Sequence, residues 1–328
     1  MKAVAVRDGG KTAADLCIIE VARPETGRGH VLIRVTHAGV NRPDILQRRG
    51  LYPPPPGASP IMGLEVAGVI EQIVPDPQWG DDIGWKVGDQ VCALVNGGGY
   101  AAYVSVDIRH LLPVPKGLSL AEAASLPEVS LTVYANLIEH GGLKAGEAVL
   151  VHGANSGIGS MTVMLGKAVG ARVIATVRGA ERIDWVRALG ADVVIDTAAG
   201  DFIDTVKAEG GADVILDIVA GDYVAKNILC LKPRGRLVQV GMARGNTAEI
   251  DVTRIMQKQA ILTGSMLRPR SPEEKARLTA EVRAKVWPLI EAGAIRPVVA
   301  KVFPFAEVGA AHAFLDSGAH SGKVVLEL

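Results

Sequence analysis

Gly153, Gly157 and Gly159 follow an apolar run, Ala148 to Val151, and precede a stretch from Ser160 to Val169 that reads as a helix. Strand, glycine turn and helix start, in that order, bring backbone N–H groups and the positive end of a helix dipole to one point. A pyrophosphate can sit there. The spacing departs from G-x-G-x-x-G, so the glycines alone are weak evidence for a nucleotide. Their place at the head of alternating strands and helices favours a dinucleotide over a ligand-free turn, with Gly153, Asn155, Ser156, Gly157, Ile158 and Gly159 as the cradle. The next strand, Arg172 to Val177, runs into Arg178, with Arg182 a helical turn on. An acid at that strand end suits the ribose 2′-hydroxyl of NAD, whereas a cation suits the 2′-phosphate of NADP. Arg178 and Arg182 therefore point to NADPH, the duller reading being two arginines on an exposed helix start. Glu181 lies inside that helix start, where its charge complements the dipole.

The elements that must position these residues alternate from Ala148 onward. Strands are expected at Asp192–Asp196, Ala212–Asp217, Arg236–Gly241 and Ala260–Ser265, with helices near Ala180–Leu189 and Asp201–Glu209. That alternation predicts parallel strands joined by right-handed crossovers, a doubly wound sheet. Before it, short segments such as Ile18–Val21, Val31–Val40 and Met62–Ile73 are β-rich and punctuated by Gly and Pro. Pro75–Trp85 reads as an exposed loop. The composition turns helical at Leu120–Leu126 and stays so through Ser130–Ile138. A charged helix is expected over Glu273–Ala292 and a last strand over Lys323–Glu327. A nucleotide domain that begins near residue 125 is complete by about 265, so the remainder returns to the first domain.

Composition bounds the function. Hydrophobic residues make up 48% and charged residues 21% of 328, the balance of a folded globular protein. With 35 basic and 35 acidic side chains, no net field favours nucleic acid or an anionic membrane. The charged first residues and the lack of an apolar run of about 18 residues predict a cytoplasmic protein with no membrane partner. Cys17, Cys92 and Cys230 are odd in number and far apart, so they are expected to be reduced packing residues.

The chain resembles the zinc-independent quinone oxidoreductases of the medium-chain dehydrogenase/reductase superfamily, in the p53-inducible quinone oxidoreductase-like branch. The segments that carry the resemblance are Gly39–Arg48, Tyr52–Ser59, Gly63–Gly68, Val87–Asp89, Gly97–Ala101 and the turn His152–Gly159. It covers essentially the whole chain, and the turn departs from it where Asn155 and Ser156 replace smaller residues. The resemblance implies a β-rich GroES-like catalytic domain over 1–124 and 266–328, a Rossmann NADP-binding domain over 125–265, and a homodimer joined edge to edge at the Ala260–Ser265 strand.

The resemblance also implies where chemistry lies. Zinc-dependent relatives carry a Cys and a His where this chain has Asn41 and Leu64, so no metal is expected, and Glu65 reads as a structural acid. A substrate that is already electrophilic then fits best, and a quinone accepts hydride to give a stabilised oxyanion. Asn41 is expected to face the nicotinamide and substrate, its alternative being an ordinary turn amide. Tyr52 is expected to donate a hydrogen bond or proton, its alternative being an aromatic packed on Pro53–Pro56. Thr132, Gly241, Met242 and Leu267 are expected around the nicotinamide, and Lys323 near the cofactor phosphates. Reduction of activated C=C bonds (enones, alkenals) uses the same metal-free pocket, and a non-catalytic NADPH-binding role is the reading from another class. A short-chain dehydrogenase is excluded: the glycine turn lies mid-chain, and Tyr223 is followed four residues on by Asn227, not Lys.

Overall fold

Contacts divide the chain into two units: residues Met1–Glu128, Arg268–Glu291 and Pro297–Leu328 form unit 1, and Val129–Leu267 with Ala292–Arg296 form unit 2. The computed structural model describes residues 1–7, 9–79 and 84–328; residues 80–83 of the loop expected over Pro75–Trp85 lie outside the described residues. In chain order the strands are β1 (Lys2–Val6), β2 (Leu16–Glu20), β3 (His30–Val40), β4 (Glu65–Val74), β5 (Gln90–Leu94), β6 (Tyr103–Asp107), β7 (Leu111–Pro113), β8 (Ala148–Val151), β9 (Arg172–Val177), β10 (Val193–Asp196), β11 (Ala212–Asp217), β12 (Leu231–Gln239), β13 (Ile261–Gly264), β14 (Val299–Pro304) and β15 (Lys323–Glu327).

Unit 1 is built on a sheet ordered β14-β15-β3-β4-β5-β7, with β6 also paired to β3. Its pairs are antiparallel except β14 with β15. Along β3, Val31, Ile33 and Val35 pack into the core and Arg34 is exposed, while Leu32, on the side of Arg34, is buried as well. β1 and β2 form a separate antiparallel pair.

Unit 2 carries a parallel sheet in the order β10-β9-β8-β11-β12-β13. Counted along the chain from β8 this is 3-2-1-4-5-6, the doubly wound Rossmann order, whose direction reverses between β8 and β11. Helices flank the sheet, so β8 is buried at every position.

Three local features differ from the sequence expectation. The helix expected over Glu273–Ala292 is two, Pro272–Lys285 and Trp287–Glu291; Pro288 lacks the N–H a continuous helix needs. Residues Ala292–Arg296 group with unit 2 and not with unit 1, which holds Arg268–Glu291 and Pro297–Leu328 of the stretch expected to return to the first domain. The helical stretch around Ser130–Ile138 is an α-helix, Pro127–Val133, that widens into π-helical turns over Tyr134–His140. No helix among the described residues is long and apolar enough to cross a membrane.

Candidate functional site

In unit 2 the turn after β8 is shaped by what a side chain would hit. Gly153 adopts φ 63°, and a Cβ there would meet the Ile218 side chain at 3.0 Å. At Gly159 a Cβ would fall 2.3 Å from the Gly153 carbonyl oxygen, so only glycine lets the helix start lie on the turn. Ser156 caps the helix Gly157–Ala168, its Oγ accepting from the Gly159 amide at 3.0 Å. The cap satisfies one first-turn amide and leaves the N–H groups of Gly157 and Ile158 among those available to an anion. Asn155, Ser156, Gly157 and Ile158 are half-buried on this turn.

Arg178, beyond the end of β9, is exposed. The Arg182 guanidinium donates to the Arg178 carbonyl at 2.9 Å and lies 3.5 Å from the Glu181 carboxylate. The loop is pinned by Asp196 at the end of β10, whose carboxylate accepts from the Gly179 amide at 2.8 Å; that bond and one from Ala198 hold its pKa below the ordinary value. Gly241 follows β12 with its amide on the Asp217 carbonyl at 3.2 Å, and Met242 beside it is 47% exposed. Thr132 is buried on the Pro127–Val133 helix. Its carbonyl accepts from the Asn136 amide at 2.9 Å, whose oxygen accepts from Ser265 Oγ at 2.9 Å. Leu267 is buried at the end of the same unit.

In unit 1 three polar side chains meet at depth. Asn41 directly follows β3, at the N-cap position of the helix Arg42–Arg48. Its Nδ2 donates to Glu65 Oε2 at 3.0 Å, and Lys323 Nζ donates to the same carboxylate oxygen at 2.6 Å and also to Asn41 Oδ1. Glu65 Oε1 accepts from the Glu128 amide at 2.8 Å. Glu65 is wholly buried, and Asn41 and Lys323 are 7% and 6% exposed. Gly39 makes room, since a Cβ there would sit 2.0 Å from Glu65 Oε2. Lys323, expected near the cofactor phosphates, supplies the cation that the buried Glu65 carboxylate demands.

Asp44, which no sequence pattern singled out as chemical, lies one helical turn from Asn41 and accepts its backbone N–H at 2.8 Å. Burial raises its pKa to about 6, against the pull of the Asn41 amide, the Tyr100 hydroxyl and the cations Lys323 and Arg268. Behind it, His312 Nε2 lies 3.3 Å from the Tyr100 hydroxyl and His312 Nδ1 3.4 Å from the Arg48 guanidinium. Arginine only donates, so Nδ1 accepts and Nε2 carries the proton towards Tyr100. Burial pushes the His312 pKa down to about 3. Half-buried Tyr52 is flanked by Arg268, whose guanidinium lies 5.3 Å from its ring centroid and donates to its carbonyl at 3.3 Å and to Gln47 Oε1 at 2.8 Å. Burial, with the Glu128 charge, raises the Tyr52 pKa, and Arg268 opposes the rise.

Comparisons with known proteins bear on both units. Residues 27–116 match the alcohol dehydrogenase GroES-like domain, and residues 189–326 match a family described as zinc-binding dehydrogenase. A spectinabilin polyketide synthase system protein of Streptomyces orinoci is 32% identical over 98% of this chain, which spans 14% of that protein. The other polyketide synthase relatives from mycobacteria are likewise much longer, this chain covering 9% to 10% of them. Human quinone oxidoreductase is 31% identical over the full chain and 98% of its own length. Among solved structures, the quinone oxidoreductase of Thermus thermophilus, solved alone and with NADPH, superposes with a TM-score of 0.83 at 34% identity, each chain covered in full.

Proposed function

Because the chain belongs to the zinc-independent quinone oxidoreductase family of the medium-chain dehydrogenase/reductase superfamily, we propose that it is an NADPH-dependent reductase that passes hydride to a quinone without a metal. The observation that carries this reading is the Asn41–Glu65–Lys323 cluster. A catalytic zinc needs thiolate, imidazole or carboxylate ligands with an open position. Here the buried carboxylate already has the Lys323 ammonium at 2.6 Å, and an amide stands beside it. The donor set does not suit the metal, and the acceptor must be electrophilic in its own right.

The turn in unit 2 fits a dinucleotide: glycines where a Cβ would collide, a capped helix start, and a cation at the end of β9. Gly153, Asn155, Ser156, Gly157, Ile158 and Gly159 would hold the pyrophosphate, and Arg178 the 2′-phosphate with Arg182 behind it. When bound, NADPH supplies the hydride. Thr132, Gly241, Met242 and Leu267 are proposed to orient the nicotinamide. Asn41, held at both ends of its amide by Glu65 and Lys323, would present a fixed face to the reactants. The Tyr52 hydroxyl would donate a hydrogen bond to the oxyanion that forms on the acceptor.

The same metal-free donor set would also serve a second reading, reduction of activated C=C bonds. Initial rates with ortho- and para-quinones beside enones and alkenals, each with NADPH and NADH, separate the two. Faster turnover of quinones with NADPH supports the first reading, and faster turnover of enones the second. Tight NADPH binding without turnover of any acceptor contradicts both and leaves a non-catalytic binding protein.

A further inference from the structure

We propose that Asp217, Asn227 and His152 form a positioning chain that locks the loops on either side of the sheet's switch point into the spacing the cofactor needs. This rests on the proposed NADPH site. The three residues are wholly buried. Asp217 ends β11, His152 directly follows β8, and these strands are neighbours where the strand order reverses. Asn227, on the helix Tyr223–Cys230, bridges them: its Nδ2 donates to Asp217 Oδ2 at 3.0 Å, and its Oδ1 lies 2.7 Å from His152 Nε2. His152 Nδ1 lies 3.0 Å from Thr176 Oγ1 on β9.

The direction of every bond follows from the first. A carboxylate only accepts, so the Asn227 NH2 must face Asp217 and its carbonyl must face His152. Nε2 of His152 therefore carries the proton, and Nδ1 accepts from the Thr176 hydroxyl. Burial lowers the pKa of His152, consistent with a neutral ring. The rings of Phe202 and Tyr223, 4.7 and 4.9 Å from the imidazole, close it off from water.

The other Asp217 oxygen does the positioning. Oδ1 accepts from the amides of Val219 at 2.6 Å and Ala220 at 3.1 Å. Those bonds hold Ala220 at φ 60°, a conformation that a residue with a Cβ seldom adopts. The segment so held lies against both candidate cofactor loops. A Cβ on Gly153 would meet Ile218 Cδ1 at 3.0 Å, and one on Gly241 would meet the Ile218 carbonyl oxygen at 2.7 Å. Ile218 is thus the spacer between the glycine turn and the loop after β12, and Asp217 fixes Ile218. Apolar side chains would join the strands as well, but only a fully bonded polar chain specifies one arrangement of three loops.

The test uses Asp217→Asn, which turns one acceptor into a donor, and Asp217→Asn with Ala220→Gly, in which glycine takes φ 60° unaided. Two readouts are needed, amide hydrogen exchange of the protein without cofactor and NADPH binding by fluorescence. In the single variant, exchange of the Val219 and Ala220 amides and of the turn 153–159 is expected to rise together, and the NADPH Kd to rise about tenfold, the loss of one hydrogen bond to a charged group. The double variant should recover most of that affinity, which a general loss of packing would not allow. Faster exchange confined to 219–220, an NADPH Kd unchanged in the single variant, or no recovery in the double variant overturns the chain. If Asp217→Asn does not fold, Asn227→Ala takes its place and must loosen the turn 153–159 in the same exchange experiment. Wild-type protein that binds no NADPH overturns the proposed function instead, and hydrogen exchange alone then decides the positioning chain.

Discussion

Lys323 and Glu65 are 258 positions apart in the chain, and their ion pair is buried. Removing one partner strands the other, so Lys323→Met should destabilise the protein by about 3–5 kcal/mol, and Lys323→Met with Glu65→Gln should recover much of that. Urea unfolding of the three proteins checks it. Asp44 and His312 make a linked prediction about pH. Asp44 is raised to about 6, so the folded state holds its proton more tightly; its contribution to stability is present below the ordinary carboxylate range and is lost as pH rises through about 6. His312 is lowered to about 3, so its contribution is lost as pH falls from the ordinary histidine value towards 3. The two slopes oppose each other between about pH 4 and 6. Asp44→Asn removes one of them, and its stability relative to wild type should improve by about 3 kcal/mol between about pH 4 and pH 7; a difference that does not vary with pH would contradict the assignment. Sequence could name Asn41 because it sits in a motif beside Pro43. It could not show the partner of Lys323, because a lone lysine opening the last strand carries no mark of a carboxylate on β4. Asp44, Tyr100 and His312 were hidden for the same reason, since their meaning lies in which strands and helices meet.

At the level of elements, the strand, turn and helix around Gly153–Gly159 were readable from an apolar run and its glycines; the cap at Ser156, which starts the helix at Gly157 and not at Ser160, was not read. The β8–β13 series was readable from its alternation. The break in the helix after Lys285 was missed although Pro288 marks it, and the widened π-helical turns at Tyr134–His140 have no local signature. Gly159→Ala tests the turn. With a Cβ placed 2.3 Å from a backbone oxygen, the turn must shift; the expected cost is about 1–3 kcal/mol of stability together with loss of NADPH binding. A variant that binds NADPH as wild type does would remove the turn from the site. Arg178→Ala tests the end of β9: the Michaelis constant for NADPH should rise about tenfold, as for a lost charge-assisted bond, with little change for NADH. Equal effects on the two cofactors would refute the 2′-phosphate role.

For the molecule as a whole, β13 forms the edge of the unit 2 sheet and leaves Ile261 54% and Leu262 37% exposed, with Met256 and Met266 close in sequence at 72% and 61%. An open apolar edge invites a second copy of the strand. A homodimer is therefore expected in solution, and Ile261→Lys should shift it towards monomer, measured by light scattering after gel filtration. A wild-type monomer at high concentration would contradict that expectation. The central claim is metal-free, NADPH-driven reduction of an electrophilic acceptor. Its most direct test is the steady-state oxidation of NADPH by a para-quinone, using protein stripped with a chelator and checked for zinc by elemental analysis. Undiminished turnover in stripped protein, faster with NADPH than with NADH, is the predicted result; activity that vanishes on stripping and returns with zinc would contradict the account.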